Sequence, residues 1–353
     1  MSNDMERRLV DSVALQAYLA QHLPLVDADT ALQIERIRGG HSNETFFVSS
    51  GSQQFVLRRP PYGPLLPTAH DVGREYRVLQ SLADTPVPVP RPLLYCEDIK
   101  VIGAPFYLME RIPGIAIRDT LPPAFEQDIQ SRAGIGEALI DALVELHKVD
   151  WQQVGLAGFG KPQGYLARQL RRWTGQLDAS RSRAIPDLDA VTVWLQEHLP
   201  ESHEATIVHG DYRLDNALMA PEPPARVLAI VDWEMSTLGD PLADLGYLLS
   251  FWREANDPPF SLDASWQITG LPGFSNRADL VQRYRERTDR KVEHLDFYIA
   301  LAIWKLAILL EGSYKRYLAG TTDDPFFPVL EQGVPALAKR ALSVCHGEMK
   351  FLP

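Results

Sequence analysis

His209, Asp211, Asn216 and Asp232 crowd into one stretch of the chain, HGDYRLDN followed by IVDWE. Moving a phosphoryl group from ATP to an alcohol needs a carboxylate to take the acceptor's proton, and oxygen ligands to hold Mg²⁺ on the phosphates. A loop carrying Asp211 and Asn216, followed by a strand delivering Asp232, offers that set, with Asp211 as base and Asn216 and Asp232 as metal ligands. Each residue also has a plainer reading. Asp and Asn bond their own backbone in turns. His209 reads as a brace for the loop rather than a catalytic group. Asp240 and Asp244 read as caps or loop braces where Asp240-Pro241 opens a helix.

Local signals supply the elements that must position these groups. Residues 205–208 and 227–231 are short apolar runs ending at His209 and Asp232, separated by a hairpin containing Pro221, Pro223 and Pro224. Side by side, they would bring Asp211, Asn216 and Asp232 to one end of a strand pair. Upstream, residues 31–37, 45–48 and 54–57 read as strands, with Gly39-Gly40-His41-Ser42-Asn43 as the turn between the first two. Residues 71–82 have helical spacing in Val72, Tyr76, Leu79 and Leu82. Glu75 lies on this helix, where a lone glutamate is usually a surface acid. PVPVPRP is a stiff link into a strand over 93–96, and a further strand over 105–110 precedes Arg111-Ile112-Pro113-Gly114. Beyond this point the chain reads as helical, notably over 124–148, 294–318 and 330–346. His147 is expected as a packed core histidine.

HGDYRLDN with IVDWE resembles the catalytic and metal-binding motifs of the aminoglycoside phosphotransferase and choline kinase family, relatives of the protein kinases. GDPLADLGYLL is similar to that family and unlike a protein kinase, which needs a long activation segment after its metal-binding Asp. Here a helix opens near Pro241, nine residues after Asp232, which favours a small-molecule acceptor over a peptide. The resemblance implies an α+β, protein-kinase-like, two-lobed fold. Residues 1–113 would form a small N-terminal antiparallel sheet lobe that binds ATP, and residues 114–353 a larger, mainly helical lobe for catalysis and acceptor binding, with ATP between them.

The family also carries a GGxSN loop over the phosphates, which implies nucleotide contacts for Gly39, Gly40, Ser42 and Asn43; two glycines equally make a plain hairpin. Kinases carry V-A-I-K where this chain has Phe55-Val56-Leu57-Arg58-Arg59. Strand alternation puts Val56 and Arg58 on one face. Val56 is expected to cover the adenine, and Arg58, in the lysine's place, to hold phosphates; Arg59 takes that role if the register slips by one. Glu75 then becomes the partner of Arg58, and backbone groups from Met109 to Arg111 bond the adenine edge. Glu234 either joins the metal shell or is a strand-end surface acid.

The net charge of −11 argues against a nucleic-acid partner. Met1 to Leu23 lacks the apolar core of a signal peptide, and no run of about eighteen uncharged apolar residues offers a membrane span. Cys96 and Cys345 are too few for a disulfide framework, so a cytoplasmic location is expected. The charge is uneven: residues 161–185 hold Lys161, Arg168, Arg171, Arg172, Arg181 and Arg183 against Asp178 alone. A polycationic aminoglycoside would require acids around the acceptor, whereas this stretch suits an anionic alcohol; a solvated basic helix face is the plainer reading. YLARQLRRW and the aromatic helix further on resemble the branch of the family found fused or adjacent to acyl-CoA dehydrogenases, which implies a hydroxyacyl-CoA as candidate acceptor. A noncatalytic nucleotide-binding protein of the same fold, and an aminoglycoside kinase, are the alternatives.

Overall fold

The computed structural model describes residues 9–27, 29–37, 43–61, 71–202, 204–259, 262, 267–320 and 326–349. Gly39, Gly40 and Ser42, expected over the phosphates, lie outside these residues. The chain divides into two compact units, Met1–Pro113 with Leu228–Glu234, and Gly114–Val227 with Met235–Pro353. The first unit thus includes the distant segment that ends near Asp232.

In the first unit, Gln33–Arg36 (β1), Glu44–Ser50 (β2), Gln53–Arg59 (β3), Pro92–Cys96 (β4) and Phe106–Glu110 (β5) form one antiparallel sheet in the order β1-β2-β3-β5-β4. Alternation sorts its side chains between two faces. Phe46, Val48, Phe55, Leu57, Phe106 and Leu108 share one core with Leu15 and Leu19 of helix Ser12–His22 (α1). Each such burial contributes about 1.5–3 kcal/mol. Asp11 starts α1 by accepting from the Val13 and Ala14 amides, as an N-cap should. The alternate residues do different work: Val56 pairs with Met109, and Arg58 with Tyr107. Helix Val72–Leu82 (α2), capped by Asp71, packs on β4 and β5 and carries Glu75 fully buried.

The second unit is mainly helical. The segment expected as one helix over 124–148 is broken into Pro123–Gln127 (α3), a 3₁₀ turn at Ile129–Ser131, and Ala133–Lys148 (α4). Asp128 accepts from the Gln130 amide, and the Arg132 guanidinium takes the Phe125 and Glu126 carbonyls at 2.8 Å each. Side chains thus satisfy the backbone groups that a continuous helix would have paired. Tyr165–Ser180 (α5), Pro186–Glu197 (α6), Leu242–Phe251 (α7), Arg277–Thr288 (α8), Leu295–Leu318 (α9) and Leu330–Cys345 (α10) follow. The long α9 contacts α5, α6, α7 and α10, which is why it is apolar around most of its circumference.

The strand pairing near the motifs differs from the expected one. Thr206–Val208 (β7) pairs antiparallel with Thr237–Gly239 (β10), rather than with the run Val227–Ile230 (β9) that leads to Asp232. Ala217–Met219 (β8), the neighbour of β9 in sheet order, also pairs with Ile115–Ala116 (β6). The proline turn is shorter than the motif spacing suggests, because the Ala220 amide donates to the Arg226 carbonyl at 2.9 Å. No helix among the described residues is long and apolar enough to cross a membrane.

Gly246 marks the contact of α7 with α9: a Cβ there would lie 2.6 Å from the Tyr298 Cβ and 2.8 Å from its carbonyl carbon. Gly246→Ala is expected to destabilise the protein by about 1–3 kcal/mol through overpacking, although alanine is the better helix former. A lower urea midpoint is the predicted result; an unchanged or higher midpoint would contradict this close approach.

Candidate active site

The loop after β7 is held from several sides. Gly210 has φ +84°, and a Cβ there would meet the Met235 carbonyl oxygen at 2.6 Å, so both backbone conformation and space demand glycine. The His209 and Gly210 amides donate to the two oxygens of Asp244, at 2.7 and 2.8 Å. Asp244 stands on the first turn of α7, fully buried. The carbonyl of Gly210 accepts from the Lys305 ammonium of α9 at 2.6 Å. His209 is itself fully buried, with its Nδ1 3.3 Å from the Asp211 amide; it braces the loop, as its position suggested.

Asp211 and Asn216 are brought together. A 3₁₀ turn at Leu214–Asn216 aims the Asn216 Nδ2 at both the Asp211 carbonyl oxygen and its Oδ2, each at 2.8 Å. With its donor end turned inward, the amide keeps an oxygen for a hard cation. Burial and then the Asp211 carboxylate push the Tyr247 hydroxyl well above its ordinary value, and Arg213 lies 3.5 Å from Asp211 Oδ1 and 3.0 Å from Asp215.

Burial would raise the Asp244 carboxyl, but the His147 hydrogen bond, the His147 and His209 rings and the Gly210 amide reverse the effect and hold it below its ordinary value. In its partner burial wins instead, pushing the His147 imidazole down against the pull of Asp244. His147 is a core residue as expected, with Nδ1 2.8 Å from the Tyr284 hydroxyl and Nε2 3.4 Å from Asp244.

In the first unit, Arg58 lies at the centre of a buried charge chain. Its Nε is 3.3 Å from Glu75 and its Nη2 is 3.0 Å from Asp232. Glu75 also accepts from the Tyr107 hydroxyl at 2.9 Å and from Asn43 Nδ2. Burial raises the Glu75 carboxyl, partly offset by Arg58, while Glu75 and Asp232 overcome the burial penalty on Arg58 and raise it well above its ordinary value. Arg59 is spent elsewhere, on the carbonyls of Leu9, Pro60 and Ile102, so it is Arg58 that meets Glu75 and Asp232. The side chains follow a gradient: Glu75 is 0% exposed, Arg58 7% and Asp232 29%, so Asp232 is the member open to a ligand.

Asp232 has φ +70°, a conformation that Asp tolerates better than most residues and that clusters at functional positions. The strand end before it is fixed by the Ile230 amide on the Pro88 carbonyl at 2.8 Å and the Trp233 indole on the Ile230 carbonyl at 3.0 Å. Glu234 follows on a 3₁₀ turn, Trp233–Met235. Val56 and Met109 face each other across β3 and β5, both buried. Arg111, beyond β5, stacks its guanidinium 3.8 Å above the Phe47 ring.

The basic stretch offers less charge to a ligand than its composition suggests. Arg168 bonds the Lys161 and Gln163 carbonyls, Arg181 pairs with Asp189 at 2.6 Å, and Arg183 reaches buried Glu311 and two carbonyls near α10. Lys305 went unnoticed in the sequence, although one cation in the run IWKLAILL was its signal.

Residues 33–265 match the model of the phosphotransferase enzyme family. The structure is similar to that of a putative aminoglycoside phosphotransferase from Ralstonia eutropha JMP134, with TM-score 0.79 and 34% identity over 95% of this chain and 98% of that one. It also shares the fold of an aminoglycoside phosphotransferase APH(4)-Ia solved with AMP-PNP and hygromycin B, at TM-score 0.61 and 14% identity, covering 94% of this chain and 98% of that one. Fold and match together place the chain in the phosphotransferase enzyme family, with a kinase-like, two-lobed α+β fold. Among curated proteins it is 39% identical to acyl-CoA dehydrogenase family member 11 of Rattus norvegicus, over 94% of this chain and 44% of that protein. It is 40% identical to family member 10 of Mus musculus, over 80% of this chain and 26% of that protein. The chain therefore spans less than half the length of these relatives.

Asp244→Asn removes a buried charge from a network that holds two amides and a histidine, an expected loss of about 3–5 kcal/mol at neutral pH. A carboxyl lowered on folding stabilises the fold above its unfolded value, about pH 4, and loses that contribution as pH falls through the folded value. Denaturant titrations should therefore show the gap between variant and wild type closing below about pH 4. A gap constant from pH 7 to pH 3 would contradict the assignment of a lowered Asp244.

Proposed function

We propose that this chain is an ATP- and Mg²⁺-dependent phosphotransferase acting on the hydroxyl of a small anionic molecule, with a hydroxyacyl-CoA as the leading candidate. The observation that carries the reading is the pairing of Asp211 with Asn216 on a glycine-tight loop, in a chain that also keeps Asp232 joined to Arg58. Residues 1–113 act as the nucleotide-binding part: Arg58, fixed by Glu75, neutralises the nonreacting phosphates, Val56 and Met109 supply apolar cover for the adenine, and backbone from Met109 to Arg111 bonds its edge. Gly39, Gly40, Ser42 and Asn43 are assigned to the phosphate cover on family resemblance. Residues 114–353 serve catalysis and the acceptor.

The donor set fits magnesium: one carboxylate, Asp232, and one amide oxygen, Asn216, suit a hard cation that takes its remaining ligands from phosphate and water. When bound, the ion neutralises charge on the phosphates. Asp211 orients the acceptor hydroxyl and takes its proton as the oxygen bonds to the γ-phosphorus and the bond to the β,γ-bridging oxygen breaks, releasing ADP. The Asn216 hydrogen bond to Asp211 Oδ2 fixes the carboxylate's orientation for this transfer.

Support for an anionic acceptor comes from a cavity in the second unit walled by Tyr165, Trp173, Tyr247 and Tyr298, with Lys305 as its cation and no acid among its lining residues. The names of the acyl-CoA dehydrogenase relatives point the same way. A noncatalytic nucleotide-binding protein would be expected to lack the base or a metal ligand; Asp211, Asn216 and Asp232 are all present.

ADP release measured with ATP and Mg²⁺ over hydroxyacyl-CoA thioesters and aminoglycosides tests the reading. Turnover on the thioesters is expected, and Asp211→Asn should lower kcat by about 10²–10⁴-fold while ATP binding persists. Aminoglycoside turnover would overturn the acceptor assignment, and undiminished turnover in Asp211→Asn would overturn the base.

A further inference from the structure

Gly210 has opposite charges at the two ends of its backbone. Its amide donates to the Asp244 carboxylate at 2.8 Å and its carbonyl accepts from the Lys305 ammonium at 2.6 Å. Both charges come from helices, α7 and α9, that pack against each other. The carbonyl belongs to the peptide whose nitrogen is that of Asp211. Holding that oxygen therefore fixes the peptide plane from which the Asp211 side chain departs. Beyond the loop, the Lys305 ammonium lies beside two rings, its Nζ 5.4 Å from the centre of Trp173 and 5.1 Å from that of Tyr247. The residue is partly buried, so its ammonium keeps less hydration than a surface lysine does.

We propose that Lys305 is a positioning residue for the phosphoryl transfer, its ammonium holding the Gly210 carbonyl and so setting the orientation of Asp211. The role rests on the reading of Asp211 as the base, but the contact it requires can be tested without turnover. The groups that face Lys305 are Asp211 on the loop, Asp244 and Tyr247 on α7, Arg172, Tyr165 and Trp173 on α5, and Tyr298 on α9 itself. Burial lowers the Lys305 ammonium to about 8, Asp211 and Asp244 pull it back up, and Arg172 adds to the lowering. The holding charge is thus lost as pH rises through that value. Below it, the loop is tied from both ends.

Titration of ¹³C-lysine-labelled protein by NMR tests the contact directly, the Lys305 signal being the one missing from Lys305→Met. A midpoint near 8 that falls further in Asp211→Asn is expected, because that variant removes an attracting charge. A midpoint at the ordinary lysine value, or one unmoved in Asp211→Asn, would overturn the proposal. Steady-state ADP release with MgATP and hydroxyacyl-CoA thioesters provides the second arm. Wild-type kcat should fall on the alkaline side through about pH 8. Lys305→Met should lower kcat at least tenfold with the KM for ATP within twofold, and abolish that limb; Lys305→Arg should keep more activity and move the limb upward. An undiminished kcat in Lys305→Met would overturn the positioning role. Absence of ADP release from the wild type would instead count against the phosphotransferase reading, and the NMR titration would still decide the contact.

Discussion

A buried carboxylate, Asp244, is the constraint on which the Asp211 loop depends. Two consecutive amides end on its oxygens, and the glycine that supplies one of them can be nothing else, given its φ and the carbonyl packed against it. A charge this deep is tolerated only when its hydrogen-bonding capacity is filled, and His209, Gly210 and His147 fill it. The arrangement anchors the loop together with its buried Tyr212 and Leu214 side chains. It also explains why α7 starts where it does: Asp240 accepts from the Leu242 amide and from the Tyr298 hydroxyl, fixing the first turn that presents Asp244.

The first unit solves a similar problem with a chain of charges. Glu75, Arg58 and Asp232 come from α2, from β3 and from a segment far downstream in sequence, and each satisfies its neighbour. Tyr107 and Asn43 complete the coordination of Glu75. A buried arginine flanked by two carboxylates keeps its charge, and the guanidinium fork suits a phosphate contact at the end where exposure increases. The opposite face of the same sheet carries Phe46, Val48, Phe55, Leu57, Phe106 and Leu108 into the core, so one alternating pattern provides both an apolar core and a buried charge chain.

Much of this was legible in the sequence because the decisive signals are local. Strand alternation in residues 53–59 put Val56 and Arg58 on one face, and the motif spacing paired Asp211 with Asn216. The strand partners of the motif loop were misread, since apolar runs of three or four residues carry no information on which neighbour they choose; the shorter turn closed by Ala220 and Arg226 decided it. Residues 124–148 look like one helix by periodicity, and only the arginine that captures two carbonyls breaks it. The basic stretch shows the limit of composition, because half its cations are consumed by internal carbonyls and acids. Lys305 was overlooked for the opposite reason: one charge in an apolar helix carries no weight until its distance to Gly210 is known.

The central claim is that the Asp211 loop and the Arg58 and Asp232 chain serve phosphoryl transfer to an alcohol. ³¹P NMR of a reaction containing the protein, ATP, Mg²⁺ and a mixture of hydroxyacyl-CoA thioesters tests it most directly. A new phosphomonoester resonance growing in step with ADP, and absent with Asp211→Asn, is the predicted result. ADP accompanied only by inorganic phosphate, or ATP left unchanged, would contradict it.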